Sequence, residues 1–385
     1  MVDSIKRMDD EFLSQAVALA QGAIALSEPN PRVGCVIASA DGQVLGQGHT
    51  QQAGGPHAEV MALRDAQAQG ASVQGATAYV TLEPCSHHGR TPPCADALVQ
   101  AGLARVVVAL MDPNPMVGGQ GVARLRGAGI QVDVVSPDHA AAVASRELNI
   151  GFLSRMVRQR PWVRMKMAGS LDGRAALENG ESKWITGEAA RADGQRWRAR
   201  AGAVLTGIGT VLVDDPRLDV RALTVPRQPL RVVLDSTWRT PPSARLWAQP
   251  GDALVCGLAP NALDAQALAR RQALEAAGCA VLDCAADARV GGLDLAGVLS
   301  SLAQRGVNEL HVEAGARLNA AFITGGWVDE YLLYVAPKLI GPGRALAELP
   351  ALAHLGEAID LRFQDVQKIG EDLRIVARPP GRDAF

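Results

Sequence analysis

The sequence lacks an excess of charge of either sign. It has 38 Lys and Arg residues against 40 Asp and Glu residues, which gives a net charge of −2, and its isoelectric point is about 6.4. Without a broad basic field, a chain has little electrostatic hold on phosphate backbones or on anionic membrane surfaces. The charge balance therefore argues against nucleic acid as a partner.

Long hydrophobic runs are also missing. The chain has no stretch of about 18 apolar residues, which is near the length that a membrane-spanning helix needs, and its N-terminus lacks the apolar core of a signal peptide. We therefore expect a cytoplasmic protein with no membrane partner. In a reducing compartment, the six cysteines are expected to be core residues, metal ligands or reactive thiols, and not a disulfide framework.

The chain has neither solenoid repeats nor low-complexity tracts, and its 385 residues with 48% hydrophobic content are enough for two domains. In the first half, a helix, a hairpin turning at Asp41-Gly42 and alternating helices and strands predict an α/β sandwich. The second half predicts buried strands separated by helices, with an antiparallel edge at its end and hence a mixed sheet. The basic segment "SRMVRQRPW", broken by Pro161, is the best candidate linker, so we predict domains at residues 1–152 and 153–385.

The residues that point to chemistry are His57, Cys85 and Cys94. His57 opens a predicted helix in "GGPHAEVMAL", while Cys85 and Cys94 lie at strand-helix junctions in "LEPCSHHGRTPPC". A helix N-terminus favours thiolate over thiol, and thiolate is the form that binds metal. One nitrogen and two sulfurs can converge on one Zn²⁺ and leave a tetrahedral position open for water, which is the pattern of a catalytic zinc site.

Glu59 lies two residues after His57, too close in sequence to chelate the same ion comfortably. It can instead carry the proton of a zinc-activated water to a leaving amine. Zinc deaminases have the signature H-x-E followed by P-C-x-x-C, and this chain matches it except that eight residues separate the cysteines. The alternative is a closed structural zinc site, which needs a fourth ligand and gives Glu59 no task. The remaining cysteines and the neighbouring histidines are expected to be packed or solvated residues: Cys35, His87, His88, Cys256, Cys279 and Cys284.

The insertion "SHHGRTPP" between the two cysteines resembles the deaminase half of the bifunctional deaminase/reductases of riboflavin biosynthesis. The similarity continues through "PNPRVGCVI" and "DPNP", and in the second half through "GSLDGR", "LTGIGTVLVDDPRL", "VEAGARL" and "VDEYLLYVAPKLIG". It implies a cytidine-deaminase-like α/β/α sandwich followed by a dihydrofolate-reductase-like mixed-sheet domain.

The implied enzyme deaminates 2,5-diamino-6-ribosylamino-4(3H)-pyrimidinone 5′-phosphate with one Zn²⁺. It then uses NADPH to reduce the ribosyl group of 5-amino-6-(5-phosphoribosylamino)uracil to ribityl. Its partners would be these small pyrimidine ribose-phosphates, and a homo-oligomer is compatible with the sequence. Two other classes stay open: a nucleoside or nucleic-acid deaminase with an unrelated C-terminal domain, and a zinc-stabilised binding module without turnover.

In the deaminase half, the resemblance implies that Asn30, Asp112 and Asn114 contact the pyrimidine ring or ribose, although Asn-Pro and Asp-Pro pairs are also common turn formers. Arg90 could bind a substrate phosphate, or form a surface salt bridge. The family has a histidine seven residues before the zinc-ligand histidine, where this chain has Thr50, with His49 beside it. This departure leaves open which side chain fills that role.

In the reductase half, "GIGTVL" lacks the third glycine of a dinucleotide-binding fingerprint. The strand "LHVEAG" instead runs into a helix at Gly315, where free N–H groups suit a diphosphate, although short strand-helix turns often look alike. The resemblance implies cofactor contacts from Ala168, Trp184, Thr210, Asp214, Ser236, Gly315, Ala316, Arg317, Leu318, Asn319, Ala320 and Ala321. It implies substrate contacts from Ser182, Arg198, Leu218, Arg221 and Glu313.

Arg198 and Arg221 could converge on one ribose phosphate through charge-assisted bonds. The competing interpretation for each arginine is an ordinary ion pair. Trp184 is either a platform for the cofactor or a core residue, and Lys166 is either a polar residue of the site or a solvent-facing one. Asp214 is also a weaker candidate for protonating the substrate.

Overall fold

The computed structural model describes residues 2–87, 92–114, 117–288 and 291–385. The chain forms two compact units, one of residues up to Gln159 together with Phe385, and the other spanning Arg160–Ala384. Each unit contains its own sheet and its own buried core.

The first unit is built on a five-stranded sheet with the order β2-β1-β3-β4-β5. The strand β1 is antiparallel to both of its neighbours, whereas β3, β4 and β5 run parallel. The strands are β1 Gly34–Ala38, β2 Val44–His49, β3 Thr77–Val80, β4 Arg105–Val108 and β5 Gln131–Val134. The helices are α1 Val2–Ala20, α2 Ala58–Ala68, α3 Cys94–Gln100, α4 Gln120–Gly127, α5 Ala140–Leu148 and α6 Ile150–Arg158.

Alternation of side chains along the strands divides the core of this unit into two layers. On one face, Ile37 belongs to a cluster that includes Ala62 of α2 and Leu98 of α3. On the other face, Val36 packs in a cluster with Leu13 of α1. Helices therefore cover both faces, and the predicted α/β/α sandwich and its hairpin are confirmed.

The second unit is built on a nine-stranded sheet with the order β11-β10-β9-β8-β12-β6-β13-β16-β15. The first seven strands in this order, from β11 through β13, run parallel to their neighbours. The last two do not: β16 is antiparallel to β13, and β15 is antiparallel to β16. The predicted mixed sheet with an antiparallel edge is thus confirmed. A separate antiparallel pair joins β7 and β14.

The elements of the second unit follow in chain order. Its strands are β6 Trp162–Ser170, β7 Arg174–Leu177, β8 Ala203–Gly207, β9 Leu230–Leu234, β10 Ala253–Leu258, β11 Val281–Cys284, β12 Glu309–Val312, β13 Glu330–Ala336, β14 Gly343–Ala345, β15 Arg362–Ile369 and β16 Asp372–Arg378. Its helices are α7 Glu188–Arg200, α8 Ile208–Asp214, α9 Ala265–Ala276, α10 Leu295–Gln304 and α11 Ala316–Thr324.

The division between the units differs from the prediction. We predicted a boundary after residue 152 and a linker in "SRMVRQRPW", but most of that segment lies in α6, and the units divide between Gln159 and Arg160. The basic residues of α6 suggested a solvated connection. Its apolar residues Ile150 and Leu153 are nevertheless buried, and Phe152 packs against the core of the first unit, so the helix is amphipathic and belongs to that unit.

Among the described residues, no helix combines the length and the apolar composition that crossing a bilayer would require.

A buried ion pair involves the first residue of the second unit. Arg160 donates from Nη1 and Nη2 to the two carboxylate oxygens of Asp329, at 2.6 Å each, and the backbone N–H of Val163 donates to Oδ2 of Asp329 at 2.9 Å. The Asp329 side chain is completely buried. Removing a partner of such a pair leaves a charge uncompensated in the interior, which costs far more than losing an exposed pair.

We expect Arg160→Ala to lower the free energy of unfolding of the second unit by about 3 kcal/mol, because Asp329 loses its bidentate partner. Arg317→Ala is the matched control, since Arg317 is 91% exposed and its partner Glu348 lies 3.3 Å away on the surface. That control should change stability by less than about 1 kcal/mol. Urea unfolding of both variants measures the difference, and equal losses would contradict the argument.

Candidate active sites

The first site is formed where three chain segments meet in the first unit. His57 directly precedes α2, Cys85 lies in the segment after β3, and Cys94 is the first residue of α3. The Sγ atoms of Cys85 and Cys94 lie 3.6 Å and 3.3 Å from Nδ1 of His57. Of the residues that the structure describes, these three form the one group whose ligand atoms, all within 4.8 Å of one another, could hold a metal ion.

Close packing of α2 against β2 fixes the position of His57. Two glycines of β2 face the helix: a Cβ atom at Gly46 would lie 2.2 Å from the carbonyl oxygen of Ala62, and one at Gly48 would lie 2.5 Å from Cβ of Met61. Any side chain at these positions would push the helix away from the strand. The glycines therefore let the start of α2 reach the two cysteines.

The two thiols differ in acidity. The hydrogen bond from the Cys94 thiol lowers the pKa of Cys85 to about 4 against the opposing effect of burial, and His57 and the backbone N–H of Cys94 add to this shift. The same hydrogen bond raises the pKa of Cys94, which carries the shared proton. A thiolate beside an imidazole and a second thiol is the donor set that Zn²⁺ prefers over Mg²⁺ or Ca²⁺. The residues present thus fit a zinc ion.

Glu59 lies in the first turn of α2 and is only 3% exposed. Burial raises the pKa of Glu59 to about 7, the charge of Cys85 adds to the rise, and His57 opposes it. A bound divalent cation would act in the same direction as His57. A carboxyl group with a pKa close to neutral can both accept and donate a proton, as general acid-base catalysis requires.

The residues expected to contact the pyrimidine lie in turns. The backbone N–H of Asn114 donates to Oδ1 of Asp112 at 2.9 Å, and the backbone N–H of Asn30 donates to the carbonyl oxygen of Ser27 at 2.9 Å. The turn chemistry that we weighed as an alternative is therefore present. Contacts of these side chains with a ligand stay a prediction. Arg90 lies outside the described residues.

The two residues considered for the family's missing histidine each have structural contacts. Thr50 is buried, and the backbone N–H of Val33 donates to its hydroxyl at 3.3 Å. The His49 ring packs against Gly22, with ring atoms 3.1 Å from where a Cβ at Gly22 would lie. As for the residues expected to be packed or solvated, His87 is exposed, Cys279 is half-buried, the other three cysteines are buried, and His88 lies outside the described residues.

Asn149 is a residue that sequence reasoning missed. Its amide accepts from the backbone N–H of Arg32 at 2.7 Å and donates to the carbonyl oxygen of Arg32 at 2.9 Å. This paired contact anchors the segment that contains Asn30. The two partners are 117 positions apart, and nothing in the local sequence around Asn149 signals the pairing.

The second site is a cleft of about 430 Å³ in the second unit. Seven of the predicted residues line it: Trp184, Arg198, Thr210, Asp214, Leu218, Arg221 and Glu313. Five residues that sequence reasoning did not single out also line it: Lys183, Asp215, Pro216, Arg217 and Arg245. The fold thus brings the seven predicted side chains to one cleft although they are far apart in sequence, and their contacts with a cofactor or substrate stay predictions.

The other predicted residues of this half do not line the cleft. Ala168 lies on β6 opposite Tyr334, and Ser236 follows β9. Gly315 precedes α11, and a Cβ atom there would lie 3.9 Å from Oγ1 of Thr210, which does line the cleft. The remaining members are Ser182 and the α11 residues Ala316, Arg317, Leu318, Asn319, Ala320 and Ala321. Their contacts with a cofactor or a substrate stay predictions.

Arg198 is engaged by Glu313. Its Nε and Nη2 donate to the two carboxylate oxygens of Glu313 at 2.5 Å and 2.9 Å, and its Nη1 donates to the carbonyl oxygen of Asp219 at 3.0 Å. Burial alone would raise the pKa of Glu313, but the Arg198 guanidinium lowers it well below its usual range. The ion pair that we weighed as the alternative for Arg198 is therefore present, and both groups are charged.

Arg221 and Trp184 are more accessible. The Arg221 side chain is 52% exposed, and its Nη1 lies 3.5 Å from Oδ1 of Asp219. Trp184 is 62% exposed, with the Arg191 guanidinium 4.4 Å from its ring centroid, so it is not a core residue. The ammonium group of Lys166 lies 5.9 Å from the ring centroid of Tyr334. Of the two arginines, Arg221 is the one positioned to meet a ligand without first giving up an ion pair with Glu313.

Comparisons with known proteins agree with two units that each carry a different site. The family model "Cytidine and deoxycytidylate deaminase zinc-binding region" matches residues 6–110, and the model "RibD C-terminal domain" matches residues 161–375. Fold and sites together define a zinc-dependent deaminase joined to a reductase.

The relatives match over nearly their whole length. The riboflavin biosynthesis protein RibD of Escherichia coli strain K12 is 42% identical over 379 residues, which cover 95% of this chain and 98% of the relative. A solved structure of Acinetobacter baumannii RibD is 42% identical, with a TM-score of 0.86 and coverage of 97% and 99%. The deaminase/reductase of Thermotoga maritima is 30% identical, with a TM-score of 0.82 and the same coverage.

The chain therefore belongs to the RibD family of bifunctional riboflavin biosynthesis enzymes. The resemblance predicted from the motifs and the predicted pair of activities are confirmed, as are the two cofactors, zinc for the deaminase and NADPH for the reductase. The enzyme acts on small molecules. The alternative of a nucleoside or nucleic-acid deaminase with an unrelated C-terminal domain is not favoured, because the second half matches the family as well as the first half does.

The different environments of the two arginines predict different consequences for their removal. Arg198→Ala leaves the largely buried Glu313 with only the contact to His311 at 3.3 Å and should lower the free energy of unfolding by about 3 kcal/mol. Arg221→Ala removes an exposed side chain and should change stability by less than about 1 kcal/mol. Thermal unfolding in the absence of ligands measures both effects. Equal destabilisation by the two variants would show that the ion pair of Arg198 has no special role.

Proposed function

We propose that His57, Cys85 and Cys94 hold the zinc ion and that Glu59 moves the protons of deamination. The observation that carries the proposal is that three ligand atoms lie within 4.8 Å of one another next to a buried carboxyl group that is not one of them. A structural zinc site would have four protein ligands and no use for Glu59. The thiols must also stay reduced to bind metal, which favours a cytoplasmic location.

The substrate that we propose for this site is 2,5-diamino-6-ribosylamino-4(3H)-pyrimidinone 5′-phosphate. The Thermotoga maritima relative carries the name diaminohydroxyphosphoribosylaminopyrimidine deaminase, and Asn30, Asp112 and Asn114 supply amide and carboxylate groups for such a ring and its ribose. When bound, zinc supplies the Lewis acidity that makes water a nucleophile at neutral pH.

Glu59 has two tasks in this reaction. Its carboxylate accepts a proton from the attacking water and then gives it to the amine that leaves as ammonia, so that a C–O bond replaces a C–N bond. Burial raises the pKa of Glu59 and a bound cation would lower it, so the carboxyl group can take up a proton and release it again during the reaction. Because Glu59 is almost inaccessible to solvent, the proton is passed to the substrate and not to bulk water.

For the cleft of the second unit, we propose reduction of the ribosyl group of 5-amino-6-(5-phosphoribosylamino)uracil to ribityl. When bound, NADPH would supply the hydride for C1 of the sugar, while the ring C–O bond at C1 breaks and the released oxygen takes up a proton. Trp184, Thr210 and Asp214 would contact the cofactor from the cleft, as would Ala168, Ser236 and Gly315–Ala321 around it. Ser182, Arg198, Leu218, Arg221 and Glu313 would contact the substrate.

The geometry refines the phosphate contact. Because Nε and Nη2 of Arg198 already donate to Glu313, we propose that Arg221 provides the main charge-assisted bonds to the substrate phosphate. Arg198 would orient Glu313 in the cleft. We propose no nucleic-acid or membrane partner, because the phosphates that the cleft would bind belong to small ligands.

The role of Glu59 can be tested with Glu59→Gln, which keeps the size of the side chain but cannot carry the proton. We expect deamination to fall by a factor of about 100 or more, while about one zinc per chain is retained, since Glu59 is not a ligand. Metal analysis and ammonia release measure the two quantities. A metal-free variant would mean that Glu59 binds zinc and that the assignment is wrong.

Removal of the metal should separate the two activities. We expect a strong chelator to abolish ammonia release and leave NADPH oxidation with the deaminated substrate unchanged, because the proposed zinc ligands all lie in the first unit. Adding Zn²⁺ back should restore deamination. Loss of both activities on chelation, without loss of folding, would contradict independent active sites.

A further inference from the structure

Glu83 is a buried carboxylate that none of the roles proposed above uses. It is 5% exposed and lies two residues before Cys85. Its side chain accepts four backbone hydrogen bonds. Oε2 accepts from the N–H groups of Asp112 at 3.2 Å and Gly119 at 2.9 Å, and Oε1 accepts from those of Gly121 at 2.9 Å and Val122 at 3.1 Å.

These four bonds tie together three parts of the chain. Glu83 belongs to the segment that carries Cys85, Asp112 follows β4, and Gly121 and Val122 lie in the first turn of α4. A carboxylate has about four lone-pair positions, so the side chain is fully occupied by these donors. Its negative charge also lies at the N-terminus of a helix, where charge is stabilised by the unpaired N–H groups.

The backbone of the Glu83 segment packs so closely against α4 that a side chain at the contact would clash. A Cβ atom at Gly121 would lie 1.9 Å from the carbonyl oxygen of Pro84. The helix start therefore rests directly on the backbone between Glu83 and Cys85. Such close packing transmits the position of one segment to the other.

The turn after β4 is held at both ends. At its start, Asp112 donates its backbone N–H to Glu83 and accepts from the backbone N–H of Asn114 at 2.9 Å. Further along, the backbone N–H of Gly118 donates to the carbonyl oxygen of Asn114 at 2.8 Å, and the next residue, Gly119, donates to Glu83. Glu83 thus fixes the backbone on both sides of Asn114.

We propose that Glu83 is a positioning residue of the deaminase, which holds Asp112 and Asn114 at a fixed distance from the Cys85 segment so that both meet the substrate. The inference rests on the proposed function, in which Asp112 and Asn114 contact the pyrimidine or its ribose. Glu83 itself touches neither the substrate nor the reacting atoms. It acts only through the backbone that it binds.

Glutamine is the sharpest replacement, because it keeps the shape of Glu83 but turns two acceptor positions into an NH₂ group that faces N–H donors. For Glu83→Gln in the full-length enzyme, we expect the KM for the pyrimidine substrate to rise on the order of tenfold, with a smaller fall in kcat. About one zinc per chain should remain, and kcat/KM of the reductase reaction should be unchanged. Glu83→Asp keeps the charge on a shorter side chain and should give an intermediate KM.

Asp9→Asn is the matched control within the same unit. The partly buried Asp9 carboxylate also joins two elements, because it accepts from Nη1 and Nη2 of Arg105 at 2.8 Å each, but it lies outside the segments that Glu83 ties together. We expect it to leave the KM for deamination unchanged. A rise in KM equal to that of Glu83→Gln would show that general loosening of the unit, and not positioning, is responsible.

A double variant tests whether Glu83 acts through the turn. If it does, Glu83→Gln should raise KM much less in an Asn114→Ala background than in the wild-type chain, because the two changes disturb one contact. Fully multiplicative effects, an unchanged KM in Glu83→Gln, or loss of zinc from that variant would overturn the inference. Failure of the wild-type chain to release ammonia would instead overturn the proposed function, so the two failures are distinguishable.

Discussion

The carboxyl ends of neighbouring parallel strands lie at the same edge of a sheet, and this constraint determines where the candidate functional side chains of both units lie. In the first unit, β3 and β4 run parallel, so Cys85 and Asp112, which follow them, come to the same edge. In the second unit, β8 and β12 run parallel, so α8 and Glu313 share an edge as well. Residues far apart in sequence therefore meet without any local signal, which is why both sites draw on loops after strands.

Buried charged residues also lie at the amino ends of the parallel strands of the second sheet, where they stabilise the fold. At the start of β6, Arg164 donates to Glu309 at 2.8 Å and also pairs with Glu330, and Arg378 donates to Glu330 at 2.7 Å. These side chains are nearly inaccessible to solvent, so each charge must be fully paired to offset the loss of hydration. Because pairing is complete there, the network holds strand ends together and offers no group to a ligand. The cleft at the opposite edge keeps partly exposed charges.

The sequence predicted the two sheets, the antiparallel edge and the three zinc-site residues, because periodicity and the H-x-E spacing are local properties. It did not predict Asn149 or Glu83, whose partners are distant or are backbone groups. The predicted linker segment contains the division between Gln159 and Arg160, but its helical part was not predicted: the basic residues of α6 were visible, whereas the burial of Ile150 and Leu153 depends on residues distant in sequence. The ion pair of Arg198 with Glu313 could be named only as an alternative, since 115 positions separate the partners.

The net charge of the chain does not describe the charge of the cleft proposed for the reductase. The chain as a whole has a net charge of −2, yet the cleft is lined by five cationic side chains and three acidic ones. Four of these cations have acidic partners. Lys183 pairs with Asp214 at 2.9 Å and Arg198 pairs with Glu313, while Arg217 and Arg221 share Asp219 at 2.7 Å and 3.5 Å. Because Arg217 and Arg221 share a single carboxylate, positive charge remains in this part of the cleft, and Arg245 also lines it. A chain with almost no net charge can therefore have a locally cationic cleft while lacking the extended field that nucleic acid requires.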